Sequence, residues 1–284
     1  IYHPAGISWV VNTAKNTGRA LGFNNIFGGV GIGLGALLAG ILIDQYSWHA
    51  AFILPGVISL LIGIGLIWHI QSNQISLKNI VSGKFSENPE RSQYLKIAII
   101  MLISITCLSF VFQILQTSLP KTMDIRLSAS MDLSTSEIGY IVSAIYVVSG
   151  LMNYVGGILA DKYSEKIIYA IGIIGQGCLL LLIISLSNYW LIAICLIIVA
   201  FNSSILPAEN LLLARFAPEK YQSLVYGIKF IISFSVGPIA LILISKSYEL
   251  TNEFSYLYLA SGVIMLLLFM VVITLPVKKQ ALAT

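Results

Sequence analysis

Charged residues are scarce in this chain of 284 residues: aspartate, glutamate, lysine and arginine together make up 10% of it. An ordinary soluble domain carries about 25% charged residues, so these are too few to cover the outside of a water-soluble protein of this length. The scarcity argues against a soluble enzyme, a nucleic-acid-binding domain and a disordered chain. With 57% hydrophobic residues, the composition indicates a polytopic membrane protein, whose outer surface faces lipid.

Cysteine and nucleotide-binding motifs are scarce as well. Cys107, Cys178 and Cys195 fall within apolar runs and show none of the Cys-x-x-Cys or Cys/His spacings of metal sites. No Gly-Lys-Ser/Thr triplet is present, so the sequence contains no sign of ATP use. We therefore predict no enzymatic activity, no cofactor, no metal and no binding of nucleic acid.

Long apolar runs separate the few charges. A membrane-spanning helix needs about 20 mostly apolar residues. Eight runs are long enough: 20–43, 50–68, 97–120, 138–160, two within 167–208, 221–245 and 254–277. The first 14 residues form a shorter run of about 21 Å, below the hydrocarbon thickness of about 30 Å. The prediction is an all-α membrane protein with eight full membrane spans that follow one partial span.

The lysines and arginines are divided unevenly between the two sides. One alternating set of loops holds 12 of them, and the opposite set holds Lys121, Arg126 and Lys246. Because basic loops stay in the cytoplasm, the first set and the C-terminus are predicted to be cytoplasmic. We expect a multi-pass protein of the cell (inner or plasma) membrane. Lys229 is left about two turns inside a span.

Four local patterns fall at defined places along these spans. Tyr-His-Pro-Ala-Gly (2–6) lies inside the partial first span, and Gly-Arg-Ala-Leu-Gly (18–22) opens the next one. An outer turn follows at 44–52, and Gly-Ile-Leu-Ala-Asp-Lys (157–162) ends a later span on the basic side. Together they resemble the major facilitator superfamily of secondary transporters. The likeness is greatest to bacterial members with Tyr-His-Pro-Ala in the fourth helix, related to exporters of the fosmidomycin-resistance type.

The resemblance covers the whole chain and implies the fold of that superfamily without about the first three and a half of its twelve helices. We therefore expect an N-terminally truncated fragment. Residues 1–70 would be the remainder of the N-terminal helical bundle, and the polar stretch 71–93 a cytoplasmic linker. Residues 94–276 would form the C-terminal six-helix bundle, and 277–284 a cytoplasmic tail.

The function implied by this resemblance is secondary active transport of a small organic solute by alternating access. We expect coupling to H⁺, because ionisable side chains lie deep in the spans, and we favour efflux over uptake by analogy with the family. The expected partners are the solute, H⁺ and the lipid bilayer, with the chain a monomer. The alternatives are a polytopic membrane enzyme or scaffold, and a passive channel.

His3 is the first candidate for solute or proton binding. It lies 12 residues before Lys15, about 18 Å from the cytoplasmic face and near the middle of the bilayer. With an ordinary pKa of about 6.5, a histidine can accept and release a proton during transport. Tyr2 is its expected polar neighbour. The alternative is a neutral histidine that is hydrogen-bonded to a neighbouring helix.

Glu209 is the carboxylate that lies within a span. It could carry a proton, pair with a cationic solute or close the inner end, and the alternative is a structural ion pair with Arg215 or Lys229. Asn210 follows it, and Asn202 lies two turns earlier on the same face. The interpretation is a polar face on this helix that contacts the solute.

Two further pairs of polar residues share helix faces. Gln113 and Gln116 are three residues apart, and Tyr146 and Asn153 are seven apart. By resemblance their helices line the central cavity, so these side chains could bind solute. The alternative is hydrogen bonding between helices, which polar side chains often provide in membranes.

The Gly157–Lys162 string carries the expected gate. By resemblance, Asp161 beside Lys162 would accept hydrogen bonds from the opening of a neighbouring helix, near Gln222 and Ser223. Free backbone N–H groups at a helix start favour a carboxylate. The contact would close the cytoplasmic side, and the alternative is a solvated turn charge.

Glycines supply the other expected moving contacts. Small residues let membrane helices approach closely. By resemblance, Gly31, Gly35 and Gly40 would form a packing face that slides against a helix of the other bundle. Gly237 and Pro238 would be the counterpart in the second half.

Overall fold

The computed structural model describes residues 2–47, 49–72, 91–131, 133, 135–218 and 221–276. A π-helical turn at Tyr2–Gly6 opens this part of the chain, and a 3₁₀ turn lies at Ile183–Ser185. The α-helices of the described residues are α1 (Ile7–Thr13), α2 (Thr17–Gln45), α3 (Ala50–Gln71), α4 (Arg91–Met131), α5 (Thr135–Lys162), α6 (Glu165–Leu182), α7 (Asn188–Phe216), α8 (Gln222–Ser235), α9 (Gly237–Thr251) and α10 (Ser255–Val272). The all-α prediction is confirmed. Most of the predicted linker and the whole predicted tail lie outside the described residues.

Seven segments of the described chain are long and apolar enough to cross a membrane. They correspond to α3, α4, α5, α6 with the 3₁₀ turn, α7, α8 joined to α9, and α10. The remaining predicted span, 20–43, lies in α2, which is a continuous helix of 29 residues but is not among the seven. Each of the eight predicted spans therefore falls on a helix of the described chain, and the criterion of length and hydropathy supports seven of them.

The break between α8 and α9 falls where Gly237 and Pro238 stand. Proline lacks a backbone N–H and is tolerated in the first turn of a helix, so a new helix begins here. A Cβ at Gly237 would lie 3.0 Å from the Gln113 side-chain nitrogen of α4. Because Gly237 has no side chain, the cavity-lining side chain of Gln113 can pack against it, and a larger residue at 237 would displace Gln113.

The end of α4 differs from the prediction of an outer loop carrying Lys121 and Arg126. The helix continues to Met131, because Met123 and Leu127, four residues apart, remain fully buried beyond the span. Arg126 points from this extension to Glu253 in the turn before α10, with both guanidinium–carboxylate distances at 2.8 Å. It also donates to the carbonyl oxygen of Ile183 at 2.6 Å. The Arg126 side chain therefore connects the ends of three helical segments.

The Arg126–Glu253 pair makes the stability of this end depend on pH. The hydrogen bonds from Arg126 hold the pKa of Glu253 below its ordinary value. A lowered carboxyl pKa contributes stability above the pKa of an unfolded glutamate, about 4.3, and that stability is lost as pH falls through the folded pKa. We expect Glu253→Gln to lower the Tm in detergent by about 3 °C at pH 7. The difference from the parent protein should shrink below pH 4, whereas the exposed Glu249→Gln should leave the Tm unchanged at both pH values.

Candidate functional site

A cavity of about 690 Å³ opens between the N-terminal turn and helices α2, α4, α5, α7 and α8. Nearly every residue predicted to bind solute or proton lines it. These residues are His3, Gln113, Gln116, Tyr146, Asn153, Asn202, Glu209 and Asn210. The side chain of Tyr2 lies outside the described residues. Side chains from positions 3 to 210 therefore meet in one chamber.

The charged centre of the cavity is an ion pair between Glu209 of α7 and Lys229 of α8. The Lys229 Nζ lies 2.5 Å from a Glu209 carboxylate oxygen, and only 6% and 3% of the two side chains are exposed. Lys229 also donates to the side-chain oxygen of Asn210 at 2.6 Å. Burial removes both charges from water, so each depends on the other for compensation.

The second carboxylate oxygen of Glu209 faces a chain of hydroxyl groups. The hydroxyl of the fully buried Tyr169, on α6, donates to it at 3.3 Å, and Ser104 of α4 lies 2.6 Å from the same hydroxyl. Arg215, the other partner considered for Glu209, pairs instead with Glu165 at 2.5 Å. The choice of Lys229 follows from the direction in which the side chains leave their helices.

Lys229 is the residue of this site that the sequence interpretation considered only as a possible structural partner of Glu209 and not as a binding residue. It lies on the buried face of α8 with Gln222 and Tyr226, at the i, i+4, i+7 spacing of one helix stripe. The Tyr226 hydroxyl donates to the backbone oxygen of Asn210 at 2.7 Å and joins α8 to α7. The sequence signal that could have identified Lys229 is a lysine within an apolar span, on the same helix stripe as Gln222 and Tyr226.

Aromatic rings surround the pair on the cavity side. The His3 imidazole stacks on Phe230 with the ring centroids 4.2 Å apart, and Phe234 lies 6.3 Å from His3. The Lys229 ammonium lies 5.6 Å from the centroid of the Phe230 ring, within the range of a cation–π contact. His3 and Lys229 therefore share one aromatic platform, and His3 lies beside the ion pair.

Two buried polar atoms of α5 have no hydrogen-bond partner in the described part of the chain. They are the Tyr146 hydroxyl oxygen and the Asn153 side-chain oxygen, and both residues line the cavity. A buried polar group without a partner costs free energy, so such atoms are usually satisfied by something else. Here a bound solute or water in the cavity can supply the missing partner.

Asp161 closes a contact between α5 and α2 rather than between α5 and α8. Its carboxylate oxygens accept hydrogen bonds from the backbone N–H groups of Gly18 at 2.6 Å and Arg19 at 2.8 Å. The predicted neighbours at Gln222 and Ser223 are therefore wrong, because Gln222 instead bonds Asn12 and the carbonyl oxygen of Ala214. The principle of a carboxylate at a helix start holds, with a different helix as partner.

Gly157 and Lys162 flank this contact in different ways. A Cβ at Gly157 would meet the backbone oxygen of Gly18, so only glycine allows this approach. Lys162 is exposed, and its ammonium lies 5.4 Å from the ring centroid of Tyr163. Gly157 thus permits the bonds of Asp161, whereas Lys162 lies outside them.

The glycines that pack α2 against α5 are not those predicted. A Cβ at Gly22 or Gly29 would meet the backbone of α5, and one at Gly33 would lie 2.9 Å from the Ser143 oxygen. At Gly31 and Gly35 no atom of the described chain lies within 4 Å of that position. The surroundings of Gly40 are not described. The helix that α2 packs against is α5, and the contact lies on another face of α2 than the one predicted.

This arrangement gives a matched test on one helix. In Gly29→Ala the new methyl group would meet the backbone of Gly150, so α2 and α5 must move apart. We expect a Tm lower by about 5 °C or more in detergent, from overpacking of about 1–3 kcal/mol. Gly31→Ala, two residues away in open space, should be neutral or slightly stabilising, since alanine favours a helix. Equal effects of the two substitutions would contradict the helix contact.

The described residues contain no group of three histidine, cysteine, aspartate or glutamate side chains that could hold a metal ion.

The fold is that of a multi-pass helical membrane protein with a chamber between its helices that polar and aromatic side chains line. The sequence profile of the Major Facilitator Superfamily matches residues 1–132 and 97–283. The chain therefore belongs to this superfamily, whose members are membrane transporters rather than enzymes. A comparison with curated proteins finds no match.

Proposed function

We propose that this protein is a secondary carrier that moves a small organic solute by alternating access, coupled to H⁺ and in the direction of efflux. The observation that carries the proposal is the cavity, in which an ion pair, a histidine and unpartnered polar atoms come together. Groups that exchange protons lie beside groups that can hold a solute. The preference for efflux rests on the resemblance to exporters with the Tyr-His-Pro-Ala segment.

Contacts at the end of the helices that is predicted to carry the basic loops, here called the basic side, support alternating access. Asp161 joins the start of α2, and Asn12 at the end of α1 donates to Gln222 at the start of α8 at 3.1 Å. Both bonds connect the segment before the linker to the segment after it. If these bonds break and α2 separates from α5, this side opens, so the cavity would be exposed to one side at a time.

A cysteine in the cavity tests this proposal without knowledge of the solute. Ser233→Cys, in a variant whose native cysteines are replaced by serine, puts a thiol on the cavity wall. A carrier should expose it to a membrane-impermeant maleimide from one side at a time, and a pH gradient should change which side reacts. His3→Ala and Glu209→Gln should abolish the effect of the gradient. Equal labelling from both sides, independent of pH, would indicate a channel.

A further inference from the structure

The charges on the cavity wall define the class of solute. Among the described lining residues, the charged side chains are Glu209 and Lys229, which form an ion pair, and His3 supplies an imidazole that is neutral or cationic. The two charges of the pair balance, so the wall is neutral as it stands. A proton added to Glu209 or His3 makes the wall positive. A site with these charge states is complementary to an anion.

Lys229 is the charge that stays in place. Its ammonium has three donors, of which one goes to Glu209 and one to the Asn210 oxygen at 2.6 Å. The Phe230 ring lies beneath it at 5.6 Å. Asn210 and Phe230 hold the ammonium when its carboxylate partner leaves, and Glu209 occupies the position that an anionic ligand would take.

Glu209 is the charge that can be neutralised. The titratable groups near it are Lys229 and Tyr226 from α8, Tyr169 from α6 with Cys107 of α4 behind it, and His3 from the N-terminal turn. The Tyr169 hydroxyl can donate to a carboxylate or accept from a carboxylic acid, so it can satisfy either form of Glu209. A carboxylate left without its cation in this buried site takes up a proton instead.

We propose that the solute is an organic anion, such as an aromatic carboxylate, that displaces Glu209 from Lys229. This inference rests on the proposed function and names its substrate class. The anion binds the Lys229 ammonium, and Glu209 takes one proton from water on the open side of the cavity. The loaded site is neutral, because the ammonium and the anion balance and Glu209 is a carboxylic acid. Each bound anion thus brings one proton with it, so the anion and the proton cross in the same direction. An inward proton gradient then drives uptake, and on this inference uptake replaces the efflux direction, which rests on the resemblance alone.

The rest of the wall fits an apolar body with a polar group. Phe112, Phe230 and Phe234 line the cavity and offer rings to an aromatic solute. The Asn153 oxygen can accept a hydrogen bond from the solute, and the Tyr146 hydroxyl can donate or accept one. An amphipathic organic anion satisfies both kinds of surface, whereas an inorganic anion would leave the rings uncovered.

The test is calorimetric binding to the purified protein in detergent with three probes of the same shape. These are 2-naphthoate, 2-naphthylmethanol and 2-naphthylmethylamine, which are anionic, neutral and cationic. We expect naphthoate to bind at least about tenfold more tightly than the others. Titrations in buffers of different ionisation enthalpy should show the uptake of about one proton per anion. Tighter binding of the amine, or naphthoate binding without proton uptake, would overturn the inference.

Substitutions locate the effect. Lys229→Met should weaken naphthoate binding by about tenfold or more, and Glu209→Gln should tighten it and abolish the proton uptake. The exposed Lys246→Met and Glu249→Gln are the matched controls and should leave both quantities unchanged. Because the parent protein alone reports anion preference and proton uptake, the inference stays testable if a variant fails to fold. Unchanged naphthoate binding in a folded Lys229→Met protein would also overturn it.

The cysteine-labelling experiment separates this inference from the proposed carrier function. Naphthoate binding with proton uptake, together with equal labelling of Ser233→Cys from both sides, would retain the anion site and reject the carrier. Side-selective labelling together with preference for the amine would retain the carrier and reject the anion.

Discussion

Lys229→Met should lower the Tm of the protein in detergent by about 10 °C, while Glu209→Gln/Lys229→Met should recover most of the loss. Removing one partner leaves the other charge buried without compensation, which costs about 3–5 kcal/mol. Removing both charges leaves neutral side chains of similar size, and such replacements are often neutral. Thermal unfolding followed by circular dichroism gives the four corners of the double-mutant cycle.

Lys246→Met is the matched control for this cycle, because Lys246 lies exposed on α9 and should change the Tm by less than about 2 °C. A fall of only 1–2 °C in the Lys229→Met protein would mean that water compensates Glu209, and the buried ion pair would be contradicted.

Asp161→Asn should open the basic side of the protein while leaving it folded and inserted in the membrane. Each aspartate oxygen accepts one backbone N–H, from Gly18 and from Arg19. Asparagine has a single side-chain oxygen and would turn an N–H₂ group toward one of these donors. Hydrogen bonds to a charged group contribute about 1.5–3 kcal/mol, so the equilibrium should shift toward the open form by about tenfold or more.

The readout is a cysteine at Ile7, a buried residue that lines the cavity at the start of α1. In the variant without native cysteines, Asp161→Asn should raise the rate of Ile7→Cys labelling from the basic side by about tenfold, and transport should be impaired. Asp124→Asn, at a partly exposed aspartate near the C-terminal end of α4 that accepts a hydrogen bond from Lys121, is the control and should have no effect. If both substitutions leave labelling and transport unchanged, Asp161 is a solvated turn charge.

Properties that depend on neighbours along the chain could be read from the sequence. Hydropathy located the helices, because a span is a local run of apolar residues. The short patterns at 2–6 and 157–162 indicated the superfamily that the sequence profile then established. The cost of burying polar groups in a bilayer pointed to Glu209 and Gln113, which do line one cavity. The Lys121 and Arg126 region shows the limit, since hydropathy alone did not reveal that α4 continues beyond its span.

Contacts between distant segments needed the tertiary structure. Asp161 bonds Gly18, 143 residues away, and no local pattern distinguishes that helix start from the one at Gln222. The rotation of α2 about its axis decided that Gly29 rather than Gly31 meets α5, because residues two apart face different sides of a helix.

The partner of Glu209 was decided in the same way. The sequence allowed Arg215 or Lys229 as the partner of Glu209 and could not choose between them, since it does not show in which direction each side chain leaves its helix. The packing of α8 against α7 directs Lys229 into the cavity, while Arg215 turns to Glu165 on α6. Local sequence determined the class of protein and the positions of its membrane-spanning helices. Only the packing of the helices determined which of these residues meet, because the direction of a side chain depends on how its whole helix is rotated and seated.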